Sequence, residues 1–538
     1  MNQDNNKGKD DGLFNVLLFG AGSFLIWKMV ERVVPVVTHF WEVNRTKFIL
    51  GGSLLLVACL VMGVTYLWNR YLDANYEKAV TAEDKTAIPL GRDEKGRFQF
   101  MKQGFRTTHT QVIGTTSCGK TESVILPWII QDIKNGSGIL IIDGKSDSQF
   151  LDKLYAYVKL AKREKDFRLF SLARVAESSA FNPLEDGSAQ EVVERVFSAF
   201  TFENEYYRNV QYKVLLSLVR LIHERKQIPT FQLLHRLLTD QPTLTTWIEN
   251  CKDEELARVL KLFNEEAPKE KLEKTSGLDA YLTHFSSGEL SILFNAKNPT
   301  IRFDEGLRDN RIYYFQLPTM YYPFIAEATG KLVLQSFQSA ISKRHLGLTT
   351  KKPGFFSCYL DDFQDYIYAG FGALLNKSRS ANIAMVFSHQ ALGDLDKVSP
   401  AFRSVVLTNT NIKIVMRNND PETCDHFAKT FGTRTTQKVT ERQISTMLGE
   451  TRTGEGSVRE VEEFLHHPNA IKQLRVGEGI VTVPHPKGVK VMKIQFERRR
   501  DLPPESIDKV EKDFAPMPVL ASKETKAQQT VTKKENET

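Results

Sequence analysis

Hydrophobic positions divide the chain into an apolar start, a long middle of alternating patterns and a polar end. The segment 48–68 has 21 residues without a charge, and a helix of that length extends about 32 Å, enough to cross a bilayer. Tyr66 and Trp68 close it with the aromatic side chains that membrane interfaces favour. An earlier apolar run, 12–34, includes three charged residues, whose long side chains can reach the interface. We therefore predict a membrane anchor over residues 1–75, with two transmembrane helices at about 12–34 and 48–68.

From residue 110 onward, short apolar runs of strand length alternate with segments whose apolar residues recur at helical spacing. Such alternation is typical of an α/β domain with a largely parallel sheet. The predicted strands lie at 110–113, 138–142, 167–172, 311–317, 355–360, 383–388 and 412–416.

One long stretch in the middle has only the helical pattern. Between residues 187 and 298, apolar positions such as Val192, Val196 and Phe200 recur at intervals of four, which predicts a helical unit that interrupts the sheet. The end of the chain, by contrast, is rich in Pro, Lys, Glu and Thr, and we predict that it is disordered. The predicted domains are therefore an anchor at 1–75, an α/β domain at 76–186 and 299–500, an all-α insertion at 187–298 and a tail at 501–538.

A glycine-rich loop follows the first predicted strand. Residues 114–121 read GTTSCGKT and match the pattern GxxxxGKT, in which glycines let backbone N–H groups point at phosphates. Lys120 would then reach the β- and γ-phosphates, and the Thr121 hydroxyl would bind Mg²⁺. We predict a site for ATP and Mg²⁺ here. Its loop residues are Gly114, Thr115, Thr116, Ser117, Cys118, Gly119, Lys120 and Thr121.

Two acids end another predicted strand, which begins after the turn at Pro353-Gly354. By itself, this segment would be interpreted as a buried strand followed by a solvated acidic turn. Beside a GKT loop, the pattern favours a metal ligand and a base for the attacking water. We assign Asp361 to the metal and Asp362 to the water.

A second acidic turn follows the strand at 138–142 and reads Asp-Gly-Lys-Ser-Asp. Ligand sites of α/β sheets lie at the carboxyl ends of the strands. We therefore include Lys145 and Asp147 among the candidate nucleotide-binding residues.

Three further polar residues are candidates for catalysis. Gln390 follows the strand at 383–388 and either senses the γ-phosphate or lies in an ordinary surface loop. Arg379 precedes that strand and Arg417 ends the next one. Either arginine can stabilise transition-state charge at a neighbouring subunit's phosphates, or simply be solvated.

Two signals for membrane orientation disagree. The segment 28–47, from the charged end of the first apolar run to the start of the second, carries Lys28, Arg32, Arg45 and Lys47, and counting positive charges would place it in the cytoplasm. The nucleotide site must meet ATP, however, which places everything after residue 70 in the cytoplasm. We follow the second signal and predict two spans with a short outer loop.

Composition narrows the possible classes of protein. Hydrophobic residues make up 41% of the chain and charged residues 25%, which excludes wholesale disorder. Five widely spaced cysteines argue against a disulfide framework or a zinc site. The net charge of +7 is mild, and it is concentrated in residues 91–500, which carry +9. A positive motor domain is compatible with a polyanionic substrate.

Six features of the chain occur in one order: the two N-terminal apolar runs, the loop at 114–121, IDGKSD at 142–147, FNPL at 181–184, LDDF at 360–363 and SHQ at 388–390. Together, these features resemble the type IV coupling proteins, the TraD/TraG-like ATPases of bacterial conjugation and type IV secretion. Three departures from the family pattern stand out: Ser117-Cys118 replace Gly-Ser in the loop, the turn after Ile142 lacks its proline, and Asp362 replaces a glutamate.

The resemblance implies a fold as well as a function. The fold would be a RecA-like P-loop ATPase domain with a mostly parallel sheet, an inserted all-α domain and N-terminal transmembrane helices. The protein would be a hexameric ATPase of the bacterial inner membrane that couples single-stranded DNA, with its relaxase, to the channel proteins of a type IV secretion system. The alternative is a receptor ATPase that recruits protein effectors or adaptors. The short tail after Arg500 favours DNA.

Overall fold

We describe the protein from a computed structural model. The described residues are 27–35, 38–39, 41–47, 52–68, 85–202, 204–347, 354–446, 449–485 and 488–510. Contacts divide the chain into two units, Met1–Ala82 and Glu83–Thr538.

Among the described residues of the first unit, one helix, Trp41–Trp68, is long and apolar enough to cross a membrane, with a mean hydropathy of 2.4. Apart from the half-buried Asn44, its described side chains are exposed instead of packed in a core. It includes the predicted span 48–68, while most of the other predicted span, residues 12–26, lies outside the described residues. Membrane crossing stays a prediction.

The second unit is organised around a large sheet. Apart from a separate pair, β10 and β11, the described strands form one sheet in the order β2-β1-β13-β12-β9-β3-β8-β7-β4-β6-β5. The strands are β1 (Ile88–Asp93), β2 (Phe98–Met101), β3 (Thr110–Ile113), β4 (Gly138–Asp143), β5 (Phe167–Ser171), β6 (Ile312–Gln316), β7 (Phe356–Asp361), β8 (Ile383–His389), β9 (Ile412–Met416), β10 (Thr433–Thr446), β11 (Gly449–Phe464), β12 (Glu478–His485) and β13 (Gly488–Gln495).

The seven strands from β9 to β5 in this order are parallel. They are the seven predicted apolar runs, so the prediction of a mostly parallel α/β sheet is confirmed. At the other edge, β12, β13, β1 and β2 add antiparallel strands that the sequence analysis did not predict.

Helices cover both faces of the sheet. They are α1 (Gln103–Arg106), α2 (Leu126–Lys134), α3 (Ser148–Leu160), α4 (Ala189–Ala199), α5 (Glu205–Glu224), α6 (Phe231–Thr239), α7 (Gln241–Glu249), α8 (Glu254–Glu265), α9 (Pro268–Ser286), α10 (Ser291–Phe294), α11 (Phe303–Asp309), α12 (Pro323–His345), α13 (Phe371–Ser378), α14 (Gly393–Asp396), α15 (Pro400–Asn409), α16 (Pro421–Phe431) and α17 (Pro468–Lys472).

The continuous apolar runs are explained by burial on two faces. In β4, Ile139 and Ile141 belong to one core cluster, while Leu140 and Ile142 belong to another. Successive side chains of a strand point to opposite faces, so both faces of this strand are covered. The carboxyl ends of the parallel strands are then left at one edge of the sheet, where polar residues can gather.

A long helical segment, α4 to α10, lies between β5 and β6 in the chain. Its apolar positions, among them Val192 and Leu218, belong to the same core cluster as Phe315 of β6. The helical pattern of this region thus packs on one face of the sheet.

The pair β10 and β11 forms a two-stranded antiparallel ribbon outside the main sheet. At its base, the Leu465 N–H donates to the Gly432 carbonyl at 2.9 Å. Side chains near the base, including Arg434 and Lys438, are exposed.

Candidate nucleotide-binding site

The loop 114–121 joins β3 to a π-helical turn, Lys120–Ile125, that continues into α2. Ser117 and Gly119 have φ values of +62° and +101°, which is left-handed backbone. A Cβ added at Gly114 would lie 2.7 Å from the Cys118 sulfur. Glycine at position 114 therefore permits the tight turn at the strand end.

Neighbouring strands hold this loop through backbone contacts. The Thr115 N–H donates to the Arg417 carbonyl at 2.9 Å, and the Gly114 N–H donates to the His389 carbonyl at 3.3 Å. Lys120 is 7% exposed, and its ammonium donates to the carbonyls of Gly114 and Thr115 at 2.7 and 3.2 Å. The lysine is thus directed back across the loop that precedes it.

Thr121 and Asp361, the two predicted Mg²⁺ ligands, are in contact. The Thr121 hydroxyl donates to Asp361 Oδ2 at 2.6 Å, and Asp361 is 4% exposed. Among the described residues, no group of three or more His, Cys, Asp and Glu side chains gathers for a metal. A hydroxyl and a carboxylate fit Mg²⁺, which takes few protein ligands and completes its shell with phosphate and water oxygens.

Ser388 connects both acids of this turn. Its hydroxyl donates to Asp361 Oδ1 at 2.5 Å and accepts from the Asp362 N–H at 3.2 Å. The Asp362 backbone is left-handed, with φ +46°. Burial raises the pKa of Asp362, the nearby Asp361 carboxylate raises it further, and Lys120 opposes both. A raised pKa makes this carboxylate a better proton acceptor.

The turn after β4 is organised by Asp143. Its carboxylate accepts from the N–H groups of Lys145, Ser146 and Asp147 at 2.9 to 3.1 Å and from the Tyr314 hydroxyl at 2.8 Å. Burial raises the pKa of Asp143 to about 7, the Tyr314 hydrogen bond opposes this rise, and Asp361 adds to it.

Lys145 and Asp147, the two candidates that the sequence predicted in this turn, differ in their surroundings. Lys145 is exposed. Asp147 caps α3, accepting from the Gln149 N–H at 2.9 Å. Sequence reasoning did not select Asp143; the signal for it was an acid directly after a continuous apolar strand.

The end of β8 carries the predicted sensor, Gln390. His389 accepts from Gln111 at its Nε2 atom, at 2.8 Å, and donates from Nδ1 to the Ala391 carbonyl at 2.9 Å. Burial lowers the pKa of His389 to about 4, so the ring is neutral. The Gln390 side chain is exposed, while the Gln390 backbone N–H donates to Asp394 Oδ2 at 2.9 Å. Its role as a sensor stays a prediction.

The two candidate arginines lie at opposite edges of the sheet. Arg417 follows β9 at the carboxyl edge, and its carbonyl contacts the loop at Thr115. Arg379 is exposed and ends α13, four residues before β8 begins. The length of β8, about 20 Å, separates Arg379 from the loop of its own chain.

Comparisons with known proteins agree with these features. The family described as the TraM recognition site of TraD and TraG matches residues 356–475. The type 4 coupling protein DotL of Legionella pneumophila is 22% identical over 411 residues, which cover 65% of this chain and 52% of DotL. The chain thus spans about half the length of this curated relative.

Solved structures of the conjugative coupling protein TrwB have a similar fold. An unbound form superposes with a TM-score of 0.57 at 13% identity, covering 80% of this chain and 92% of TrwB. The complex of TrwB with ADP and Mg²⁺ gives 0.56 at 15% identity, covering 76% and 89%. The resemblance to type IV coupling proteins is confirmed, and so is the α/β fold that it implied.

Proposed function

We propose that this chain is the ATPase of a type IV coupling system: a hexamer, anchored in the bacterial inner membrane, that moves DNA and its relaxase toward the secretion channel. The observation that carries the proposal is the 2.6 Å hydrogen bond between Thr121 of the GKT loop and Asp361 of β7. Two segments 240 residues apart in the chain thereby form one site with the residue types that phosphoryl transfer requires.

Each side chain of this site has a chemical task. Thr121 and Asp361 would hold Mg²⁺, which neutralises charge on the phosphates of bound ATP. Lys120 places a positive charge beside the same phosphates. Asp362 accepts a proton from the attacking water, and its raised pKa suits that task. The TrwB complex with ADP and Mg²⁺ supports this choice of cofactors.

The membrane anchor and the DNA cargo rest on other observations. The apolar helix Trp41–Trp68 supports anchoring, and the charge of +9 on residues 91–500 supports a polyanionic cargo. The similarity to DotL and TrwB supports a place beside channel proteins and a relaxase.

Lys120→Ala tests the motor. Without the ammonium, we expect ATP hydrolysis by the purified full chain and DNA transfer between cells both to fall at least a hundredfold. Lys95→Ala is the control, because Lys95 is an exposed lysine in the turn between β1 and β2. Unchanged hydrolysis and transfer in Lys120→Ala would refute the proposal.

The nature of the cargo needs a second measurement. We expect oligo(dT) to stimulate ATP hydrolysis by the full chain. No stimulation, together with tight binding of a protein effector, would instead establish the receptor alternative.

A further inference from the structure

The loop that follows β6, residues 317–322, carries an unusually exposed apolar tip. Met320 is 99% exposed and Tyr321 is 75% exposed, the highest values among the large apolar side chains of the described residues. Isolated apolar side chains are normal on surfaces. Here two adjacent ones lie at the carboxyl edge of the sheet, where the nucleotide-binding loop also lies.

This β6 loop is held firmly by hydrogen bonds. The N–H groups of Tyr321 and Tyr322 both donate to the Pro318 carbonyl, at 3.0 and 2.9 Å. The Leu317 N–H donates to the Asp143 carbonyl at 2.9 Å. The tip is therefore presented by an ordered turn.

Thr319 connects the β6 loop to the acidic turn, Asp361–Asp365. Its hydroxyl lies 3.1 Å from Asp365 Oδ2 and 3.0 Å from the Gly144 carbonyl. Asp365 follows the predicted base by three residues. Movement of the acidic turn would thus act on the residue next to the exposed tip.

Two exposed lysines, Lys397 and Lys145, lie beside the β6 loop. Lys397 and Met320 line the same groove, of about 570 Å³, and the Lys397 side chain is 63% exposed. Lys145 is exposed and follows Gly144, the residue that Thr319 contacts. Lys397 also pairs with Asp394 at 3.4 Å and interacts electrostatically with Asp365 of the groove, which accepts from Thr319. Glu327, the other acid of the groove, pairs with Lys331.

We propose that the Met320–Tyr321 tip binds a single-stranded polynucleotide, and that the Thr319–Asp365 hydrogen bond couples this binding to the nucleotide site. Tyr321 provides a ring on which a base stacks, Met320 adds apolar contact, and Lys145 and Lys397 face the phosphates. The inference rests on the proposed function, because it assigns the surface through which that motor meets its cargo.

The first test compares oligo(dT) binding by the full chain and by the Met320→Ala/Tyr321→Ala double variant, with fluorescence anisotropy as the readout. We expect the Kd of the variant to rise at least about tenfold, since one lost base stack has an effect of that size, while basal ATP hydrolysis is unchanged. Tyr206→Ala is the matched control, because Tyr206 is 64% exposed on α5 and its ring packs edge-on against the next tyrosine, as the ring of Tyr321 does.

The second test separates binding from coupling. Thr319→Val removes the hydroxyl and keeps the shape, so we expect oligo(dT) to bind as before while its stimulation of ATP hydrolysis is lost. Thr319→Ser should restore the stimulation.

Three results would overturn the inference. An unchanged Kd in the double variant would show that the strand binds elsewhere. A double variant that no longer assembles would show that the tip contacts another subunit. If the unmodified chain itself neither binds oligo(dT) nor is stimulated by it, the DNA cargo of the proposed function fails as well.

Discussion

Ser388 shows how much of the site depends on one hydroxyl. It donates to the predicted metal ligand, Asp361, and accepts from the backbone of the predicted base, Asp362. Its own strand, β8, lies between β3, which leads into the loop with Thr121, and β7, which ends with Asp361. Ser388 would therefore orient the carboxylate of Asp361 without binding the metal itself.

We expect Ser388→Ala to raise the Mg²⁺ concentration needed for half-maximal ATP hydrolysis by about 10- to 100-fold, which is the usual effect of losing a partner of a metal ligand. Ser388→Thr keeps a hydroxyl and should recover most of the Mg²⁺ affinity. Titration of hydrolysis with Mg²⁺ at saturating ATP measures the effect. An unchanged Mg²⁺ requirement in the alanine variant would show that Thr121 alone orients Asp361.

Asp143 makes stability depend on pH. Its pKa is about 7 in the folded chain, against an ordinary value of 3.8, so the folded state binds more protons between these values. The contribution of Asp143 to the free energy of unfolding therefore falls as the pH rises from about 4 to 7. We expect Asp143→Asn to flatten this part of the pH profile in urea denaturation. An identical slope in both proteins would contradict the assignment.

At the scale of elements, a buried ion pair joins two helices to the strand that carries the predicted metal ligand. Arg106 of α1 donates to both carboxylate oxygens of Asp132 in α2, at 2.6 and 2.7 Å, and to the Tyr359 hydroxyl of β7 at 2.8 Å. Arg106 and Asp132 are fully buried. Their pairing fixes α2, which continues from the nucleotide-binding loop, against β7.

We expect Arg106→Met to lower the free energy of unfolding by about 3–5 kcal/mol, because it leaves the charge of Asp132 buried without a partner. The double variant Arg106→Met/Asp132→Leu removes both charges and should lose less. Urea denaturation of the single and double variants gives the comparison. If the double variant is less stable than the single one, the ion pair contributes more to the free energy of unfolding than the neutralisation of two buried charges.

The elements that the sequence predicted correctly are those with the strongest patterns. Strands such as β4 are buried on both faces and so appear as continuous apolar runs. Strand β1 has the sequence IPLGRD, and its proline and glycine are untypical of a strand interior. The polar ribbon of β10 and β11 has no buried face near its base, so it has no apolar alternation there. Short edge strands and exposed ribbons cannot be recognised from apolar periodicity.

The sequence predicted those residues of the site that belong to recognisable motifs. The GKT loop and the acids of β7 predicted the pair Thr121 and Asp361. The roles of Ser388 and Asp143 depend on which strands are neighbours in the sheet, because both contact residues far away in the chain. No spacing within the sequence contains that information.

At the scale of the whole molecule, the position of the candidate arginines bears on how subunits of the proposed hexamer would cooperate. Arg379 lies across the sheet from the loop of its own chain, so it can act only on the site of another subunit. Arg417 lies beside its own loop, through the contact of its carbonyl with Thr115. The two arginines are therefore expected to behave differently in mixed assemblies.

We expect a mixture of Arg379→Ala and Lys120→Ala subunits to recover part of the ATP hydrolysis that each variant alone has lost. Each intact loop can then receive an arginine from its neighbour. A mixture of Arg417→Ala and Lys120→Ala should stay inactive. The measurement is ATP hydrolysis by the mixed full-length chains. Recovery in the mixture with Arg417→Ala, and none in the mixture with Arg379→Ala, would reverse the assignment.

The ribbon of β10 and β11 has a consequence for protein engineering. The chain enters and leaves it at one point, where Leu465 and Gly432 are hydrogen-bonded, and neither strand belongs to the main sheet. Its length can thus change without altering the order or register of any strand that carries the site. A reporter domain or a crosslinker could therefore be placed along it, with the residues of the candidate site left as they are.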